Sequence, residues 1–197
     1  FVSARTDSSV IAREGTTIFM VPSDTPGFRV GKVFNKSGWR FYQNAELIFE
    51  NARVPQANVI GQSGGHGKLD KGERTGGDLF GDLELAANAL GVCMSACESA
   101  LTLARSRIQG GKPLIEQQMV QLKIGRMNML TEALRSYVLR VAWEHDQKLP
   151  STNAGFVMNF STDVIQEVTQ INMDLHGAAG FTMDAHANKL VRDGIIW

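Results

Sequence analysis

The spacing of apolar residues changes once along this chain, and the change falls across a glycine-rich stretch. Before it the pattern has a period of two; after it the pattern is helical. A sequence that switches period in this way folds as a strand-rich part followed by a helix-rich part. Residues 1–62 read as β. Thr17-Ile18-Phe19-Met20-Val21 is a β-branched and aromatic run that stops at Pro22. Thr25-Pro26-Gly27 signals a turn, and Phe28 to Val33 alternates. Ala45 to Val54 reads as a longer strand ending at Pro55. Period-two patterning of this kind suits an antiparallel sheet with one wet face. Residues 63–77 hold six glycines and a single large apolar residue, Leu69, and read as a linker or loop.

From Asp78 to Trp197 the spacing predicts a helical bundle. Leu83, Ala87, Leu90, Met94, Cys97, Leu101 and Ala104 step by 4, 3, 4, 3, 4 and 3, one face of a packed helix. Gly110-Gly111 ends it, and Pro113 suits the first turn of a second helix. The stripe of that helix is Val120, Ile124, Met127, Leu130, Leu134, Val138 and Val141. It stops near Lys148-Leu149-Pro150, and Ser151 or Thr152 is placed to cap a third helix. The third stripe is Phe156, Phe160, Val164, Val168, Ile171 and Leu175, and a fourth helix follows Phe181. Long helices with short connections predict an antiparallel four-helix bundle, so the fold class is α+β. Tyr137, Trp143, Phe156 and Phe160 are large enough to serve either the core or a subunit contact, with the core favoured for each.

Composition narrows the function classes. Lys plus Arg and Asp plus Glu number 20 each, so no basic field points to nucleic acid. No apolar run has the length of a membrane span, and no charged-then-apolar leader is visible. Cys93 and Cys97 lie four apart in a helical pattern without further Cys or His nearby. They read as small core residues, not as a disulfide or a metal site. A reducing compartment, cytoplasmic or the mitochondrial matrix, fits this usage.

The stretch richest in chemistry is Asp174-Leu175-His176-Gly177-Ala178-Ala179-Gly180-Phe181, followed by Lys189-Leu190-Val191-Arg192-Asp193-Gly194. Small residues at a turn between helices let a backbone come close to something flat or charged. This arrangement resembles the flavin-contacting turn of the acyl-CoA dehydrogenases, Gln-x-x-Gly-Gly-x-Gly followed by an Arg-Asp-Ala-like helix. Two further strings are similar to that family. One runs from Gly38-Trp39-Arg40 through Ala45 to Pro55 and on to Asn58-Val59-Ile60-Gly61. The other is Arg105-Ser106-Arg107 through Gly111-Lys112-Pro113 to Gln117-Gln118, with Leu134-Arg135 beyond. In order, these strings cover nearly the whole chain. The resemblance implies the end of an antiparallel β-domain and most of a C-terminal helical domain.

The resemblance also implies a cofactor, FAD, and residues to hold it. Arg107 corresponds to an arginine that reaches the pyrophosphate of an FAD bound mainly by a neighbouring subunit, as a guanidinium fork can. Gln109 and Gln117 fall at or beside positions lining the adenosine part, and Gln118 matches a recurrent glutamine. Asp174 stands where the family has a glutamine, and an ionised carboxylate accepts but does not donate. His176, Gly177 and Gly180 match the turn, while Ala178 replaces a glycine. The expected base is a glutamate just past the Arg-Asp pair, beyond Trp197. Asp82 and Glu84 are the nearest carboxylates for the minority arrangement with the base in the first bundle helix, though Asp82 falls where the family has an arginine. The implied reaction removes an α proton from an acyl-CoA thioester and passes a β hydride to flavin N5. Homo- or hetero-oligomers sharing FAD sites and an electron-transfer acceptor protein are the implied partners. Three alternatives stay open: a non-catalytic subunit completing a partner's flavin site, a flavin-dependent monooxygenase of the same fold, and a helical scaffold without flavin.

Overall fold

A computed structural model describes residues 1–11, 15–61, 74–149 and 153–196. The chain divides into two compact units. The first is Phe1–Asn35 with Arg40–Gly77; the second is Lys36–Trp39 with Asp78–Trp197.

The first unit is built from antiparallel pairs. Strands β1 (Val2–Arg5), β2 (Thr16–Phe19) and β5 (Val59–Ile60) form one sheet in the order β1-β2-β5, with Val2 opposite Phe19 and Ile18 opposite Ile60. Strands β3 (Phe28–Val33) and β4 (Ala45–Phe49) form a second, with Phe28 opposite Phe49 and the two rings stacked. β4 stops at Phe49, well short of the expected Val54. The last rung is Glu50 N–H donating to the Gly27 carbonyl, after which Asn51 turns left-handed at φ 52° and a 3₁₀ turn, Gln56–Asn58, follows Pro55. A left-handed residue cannot continue a strand. β2 likewise ends before Met20 and Val21.

The second unit is the antiparallel bundle. Helix α1 spans Arg74–Ser106, α2 Gln118–Asp146, α3 Asn153–His176 and α4 His186–Gly194. α1 begins ahead of Asp78. Most of the Gly-rich segment 63–77 lies outside the described residues, as do Pro150, Ser151 and Thr152. Between α1 and α2 the chain makes a two-rung hairpin, β6 (Ile108–Gln109) with β7 (Lys112–Pro113). Gly110 and Gly111 have φ of 65° and 80°, the backbone a tight hairpin turn requires at both central positions. Pro113 therefore sits in a short strand, not in the first turn of a helix; the 3₁₀ turn Leu114–Glu116 intervenes before α2.

The core is drawn from all four helices. α2 buries the stripe its spacing predicts: Val120, Ile124, Met127, Leu134, Val138 and Val141, with Leu130 half-buried. α1 is rotated from expectation. Its buried face is Ala86, Ala89, Leu90, Cys93, Ala96, Ala100 and Ala104, while Ala87 and Met94 are exposed. A face of alanines lets neighbouring helices come close, and that face meets the 3–4 spacing as well as the bulkier one does. α3 buries Ala154, Val157, Ser161, Val164, Ile165, Val168, Thr169, Asn172 and Met173. Phe156 and Trp143, favoured for the core, are exposed instead, and Phe160 and Tyr137 pack against it half-buried. By length and composition, Gly81–Ser106 of α1 would also pass for a membrane span, contrary to the sequence expectation; here its alanine face is the core of the bundle.

Candidate functional site

The end of α1, the end of α3 and the start of α4 enclose a groove of about 460 Å³, lined by Ser95, Glu98, Ser99, Thr102, Ser106, His176 and His186 among others. The hydroxyl residues fall on one side of α1 because 95, 99, 102 and 106 repeat at helical spacing, beside the buried alanine face. Ser95 Oγ lies 3.0 Å from His186 Nε2, and Ser99 Oγ lies 3.4 Å from His176 Nε2. His176 Nδ1 is 2.8 Å from the Asn172 carbonyl oxygen. A carbonyl only accepts, so Nδ1 carries a proton, and in the neutral ring Nε2 accepts from Ser99. The imidazole is thus held between α1 and the last turn of its own helix.

The turn expected from the sequence follows directly. Residues Gly177–Phe181 form a 3₁₀ turn joining α3 to the segment before α4. Gly177 has φ 58° with open space around it, and Ala178 and Ala179 are exposed, so a stretch of backbone is open to approach. Gly180 is buried. A β-carbon there would stand 2.6 Å from the Met173 carbonyl oxygen and 3.1 Å from Met173 Cγ, so the turn packs onto its own helix at this point. A turn of this build fits a flat or anionic group approaching its backbone side.

The other candidate residues divide into groups. Arg107 directly follows Ser106 of the groove and is exposed; its N–H donates to the Leu103 carbonyl and its own carbonyl accepts from Leu114. Gln109 and Gln117 are brought together across the hairpin, Gln117 Nε2 donating to the Gln109 carbonyl at 3.2 Å. Gln118 is the first residue of α2 and is exposed. Asp174 faces Lys123 of α2, with Nζ 3.7 Å from Oδ2, and accepts from Gln170 Nε2 at 3.3 Å. Its charge is thus shared with a lysine. Asp82 and Glu84 stand apart from all of these. Asp82 is half-buried near the start of α3, its Oδ2 3.9 Å from where a β-carbon on Gly155 would lie, and Glu84 is exposed. They precede Ser95 by about three helical turns, or roughly 15–20 Å along α1.

Sequence reasoning did not single out Ser95, Ser99 or His186. Their helical spacing was legible, but their meeting with α3 and α4 is tertiary. Asn172 was missed as well. It is fully buried, and neither atom of its amide has a hydrogen-bond partner among the described residues. Buried thiols add no reactive group. Desolvation, helped by neighbouring Cys97, pushes the Cys93 thiol up to about 12, and burial raises Cys97 too. Among the described residues no cluster of three metal-ligating side chains occurs.

Comparison with known proteins agrees with this architecture. Residues 81–194 match the family model for the acyl-CoA dehydrogenase C-terminal domain. The chain is 32% identical over 182 residues to an acyl-CoA dehydrogenase of Bacillus subtilis, covering 92% of this chain and 47% of that protein. It is 32% identical over 196 residues to the short-chain specific acyl-CoA dehydrogenase of Megasphaera elsdenii, covering 99% of this chain and 50% of that one. The solved structure of butyryl-CoA dehydrogenase from Megasphaera elsdenii superposes with a TM-score of 0.87 at 31% identity, over 98% of this chain and 50% of that chain. The chain therefore spans about half the length of the curated relatives it matches.

Proposed function

This chain belongs to the acyl-CoA dehydrogenase family, and on that premise we propose that it supplies the helical half of an FAD-dependent oxidoreductase that introduces a double bond between the α and β carbons of an acyl-CoA thioester. The observation that carries the reading is the turn Gly177–Gly180: open backbone on one side, collapse onto Met173 on the other, at the edge of a polar groove. Arg107 would hold phosphate oxygens, Gln109 and Gln117 the adenosine part, and the backbone from Gly177 through Ala178 to Gly180, with His176 behind it, the approach face. Asp174, partnered by Lys123, would accept from a hydroxyl or amine and not meet phosphate. FAD, when bound, supplies the hydride acceptor. The proton acceptor of the family's common arrangement would be a glutamate past the Arg192-Asp193 pair; Asp82 and Glu84 are the secondary candidates. A site completed by Arg107 from a neighbouring copy calls for an oligomer, and reoxidation calls for an electron-transfer acceptor protein. A cytoplasmic or matrix location goes with the reading.

A second reading keeps the fold without the chemistry. Asp82 and Asp174 replace an arginine and a glutamine expected from the family, which favours a subunit that completes a partner's flavin site. Anaerobic absorbance titration of the full-length assembly with a panel of acyl-CoA thioesters separates the readings. Bleaching of a bound flavin band by one thioester is the expected result. Bound flavin that no thioester bleaches would favour the partner subunit, or a monooxygenase of this fold if flavin reduced chemically with dithionite then turns over with oxygen. Absence of flavin would overturn both.

A further inference from the structure

The Arg-Asp pair near the end of the chain is used by the molecule itself. Arg192 and Asp193 lie in the last turn of α4, and both reach Ser37–Trp39, a segment that belongs to the helical unit although it lies between β3 and β4 in sequence. Arg192 Nη1 donates to the Ser37 carbonyl at 2.8 Å, and Arg192 Nε donates to Asn188 Oδ1 at 2.8 Å, which steadies the guanidinium. The Trp39 N–H donates to Asp193 Oδ1 at 2.8 Å, and Lys189 Nζ binds the other carboxylate oxygen. Between these two bonds Gly38 is buried, and any β-carbon there would collide with the Arg192 carbonyl. Trp39 itself holds φ 49°, a backbone that a bulky residue adopts only when its surroundings impose it. Asp193 is 6% exposed, so its bond to the Trp39 amide is shielded from water.

We propose that Arg192 and Asp193 are a backbone latch: together they grip three consecutive residues, Ser37, Gly38 and Trp39, and lock this strap in a left-handed kink against α4. A carbonyl is read by a guanidinium, an amide by a carboxylate, and the residue between them must lack a side chain. Each grip holds a different backbone group, the Ser37 carbonyl and the Trp39 amide, so loss of either one loosens the strap. The latch acts on the polypeptide and not on a ligand, so it stands whether or not the chain binds flavin.

Hydrogen–deuterium exchange of the full-length protein, read by peptide, tests this directly, since the Trp39 amide is one of the gripping bonds. Asp193→Ala is expected to speed exchange across residues 37–40 by about tenfold or more, the loss that follows removal of a hydrogen bond to a charged group. Asp193→Asn, which keeps an acceptor at Oδ1, is expected to restore most of the protection. Gly38→Ala, which leaves both side chains intact, is expected to open the same peptide. Peptides within α2 should keep wild-type protection in all three. Unchanged exchange at 37–40 in Asp193→Ala and Gly38→Ala would overturn the latch, as would an equal rise across α2 and α3, which would mark the pair as a general stabiliser of the bundle. The flavin band read on the same samples reports separately on the proposed function.

Discussion

Gly177 and Gly180 lie three residues apart in one turn and are glycine for unrelated reasons. Gly177 needs its backbone conformation: φ is 58° and nothing lies within 4 Å of a would-be β-carbon. Gly180 needs its lack of a side chain, because the Met173 carbonyl fills the space. Gly177→Ala should therefore cost about 1 kcal/mol, the usual penalty of a left-handed alanine. Gly180→Ala should cost about 1–3 kcal/mol, as overpacking does. Chemical denaturation of both variants checks the order, and Gly177→Asn should be tolerated where Gly180→Asn is not. Cys93 gives a pH dependence with a definite sign. Its thiol is raised in the fold from an ordinary 9.0 to about 12, so the protonated form is the one the core accepts. That contribution is complete below about pH 9 and is lost as pH rises towards 12. The difference in melting temperature between wild type and Cys93→Ala should stay constant below about pH 9 and change only across that alkaline window, and the native thiol should resist labelling at pH 8.

At the scale of elements, the junction of α2 with α3 is tied by one buried carboxylate. Glu144 is 5% exposed near the end of α2; it accepts from Arg140 Nε at 2.7 Å and from Asn153 Nδ2, the first residue of α3, at 2.9 Å. A carboxylate so placed satisfies groups on both helices, and removing its charge leaves a guanidinium and an amide with a weaker acceptor. Glu144→Gln is expected to lower stability by about 1–3 kcal/mol in urea unfolding, the cost of weakening buried bonds to a charged group. By contrast, the Arg126–Glu167 pair, also between α2 and α3, makes two bonds at 2.7 and 3.1 Å but is nearly half exposed. The hydrogen bond from Arg126 holds the Glu167 carboxyl below its ordinary value, yet solvent screens the pair, and it contributes less than the buried Glu144 tie.

At the scale of the whole molecule, the proposed flavin function makes Arg107 the most informative substitution. Its backbone closes the β6–β7 hairpin, while its side chain is exposed and has no structural task among the bonds described. Arg107→Ala should leave the melting temperature of the apoprotein unchanged. It should weaken flavin retention by about ten- to a hundredfold, the range for a lost charge-assisted bond. Flavin-to-protein absorbance after gel filtration measures this. A loss of stability in place of flavin would make Arg107 a helix-end residue only.

What the sequence determined by itself is the type and order of the elements. Period two before the glycine-rich stretch and period 3.6 after it produce strands and helices wherever local backbone preference and one-sided burial agree, as in β3 and along the stripe of α2. The turn at Gly177–Gly180 was equally legible, because four consecutive glycines and alanines break the apolar stripe there. Tertiary structure decided what local spacing leaves degenerate. α1 offers two faces with the same 3–4 repeat, and close helix packing selected the alanines over Met94. β4 ends where Asn51 turns left-handed, although the residues beyond it still look like strand. Gly110-Gly111 closes a hairpin that no periodicity over so few residues can announce. The groove of Ser95, Ser99, His176 and His186, and the grip of Arg192 and Asp193 on Ser37–Trp39, join residues that lie 77 to 155 positions apart. Such pairings depend on how helices and strap pack in three dimensions, and that information is not carried by the neighbours of any one residue.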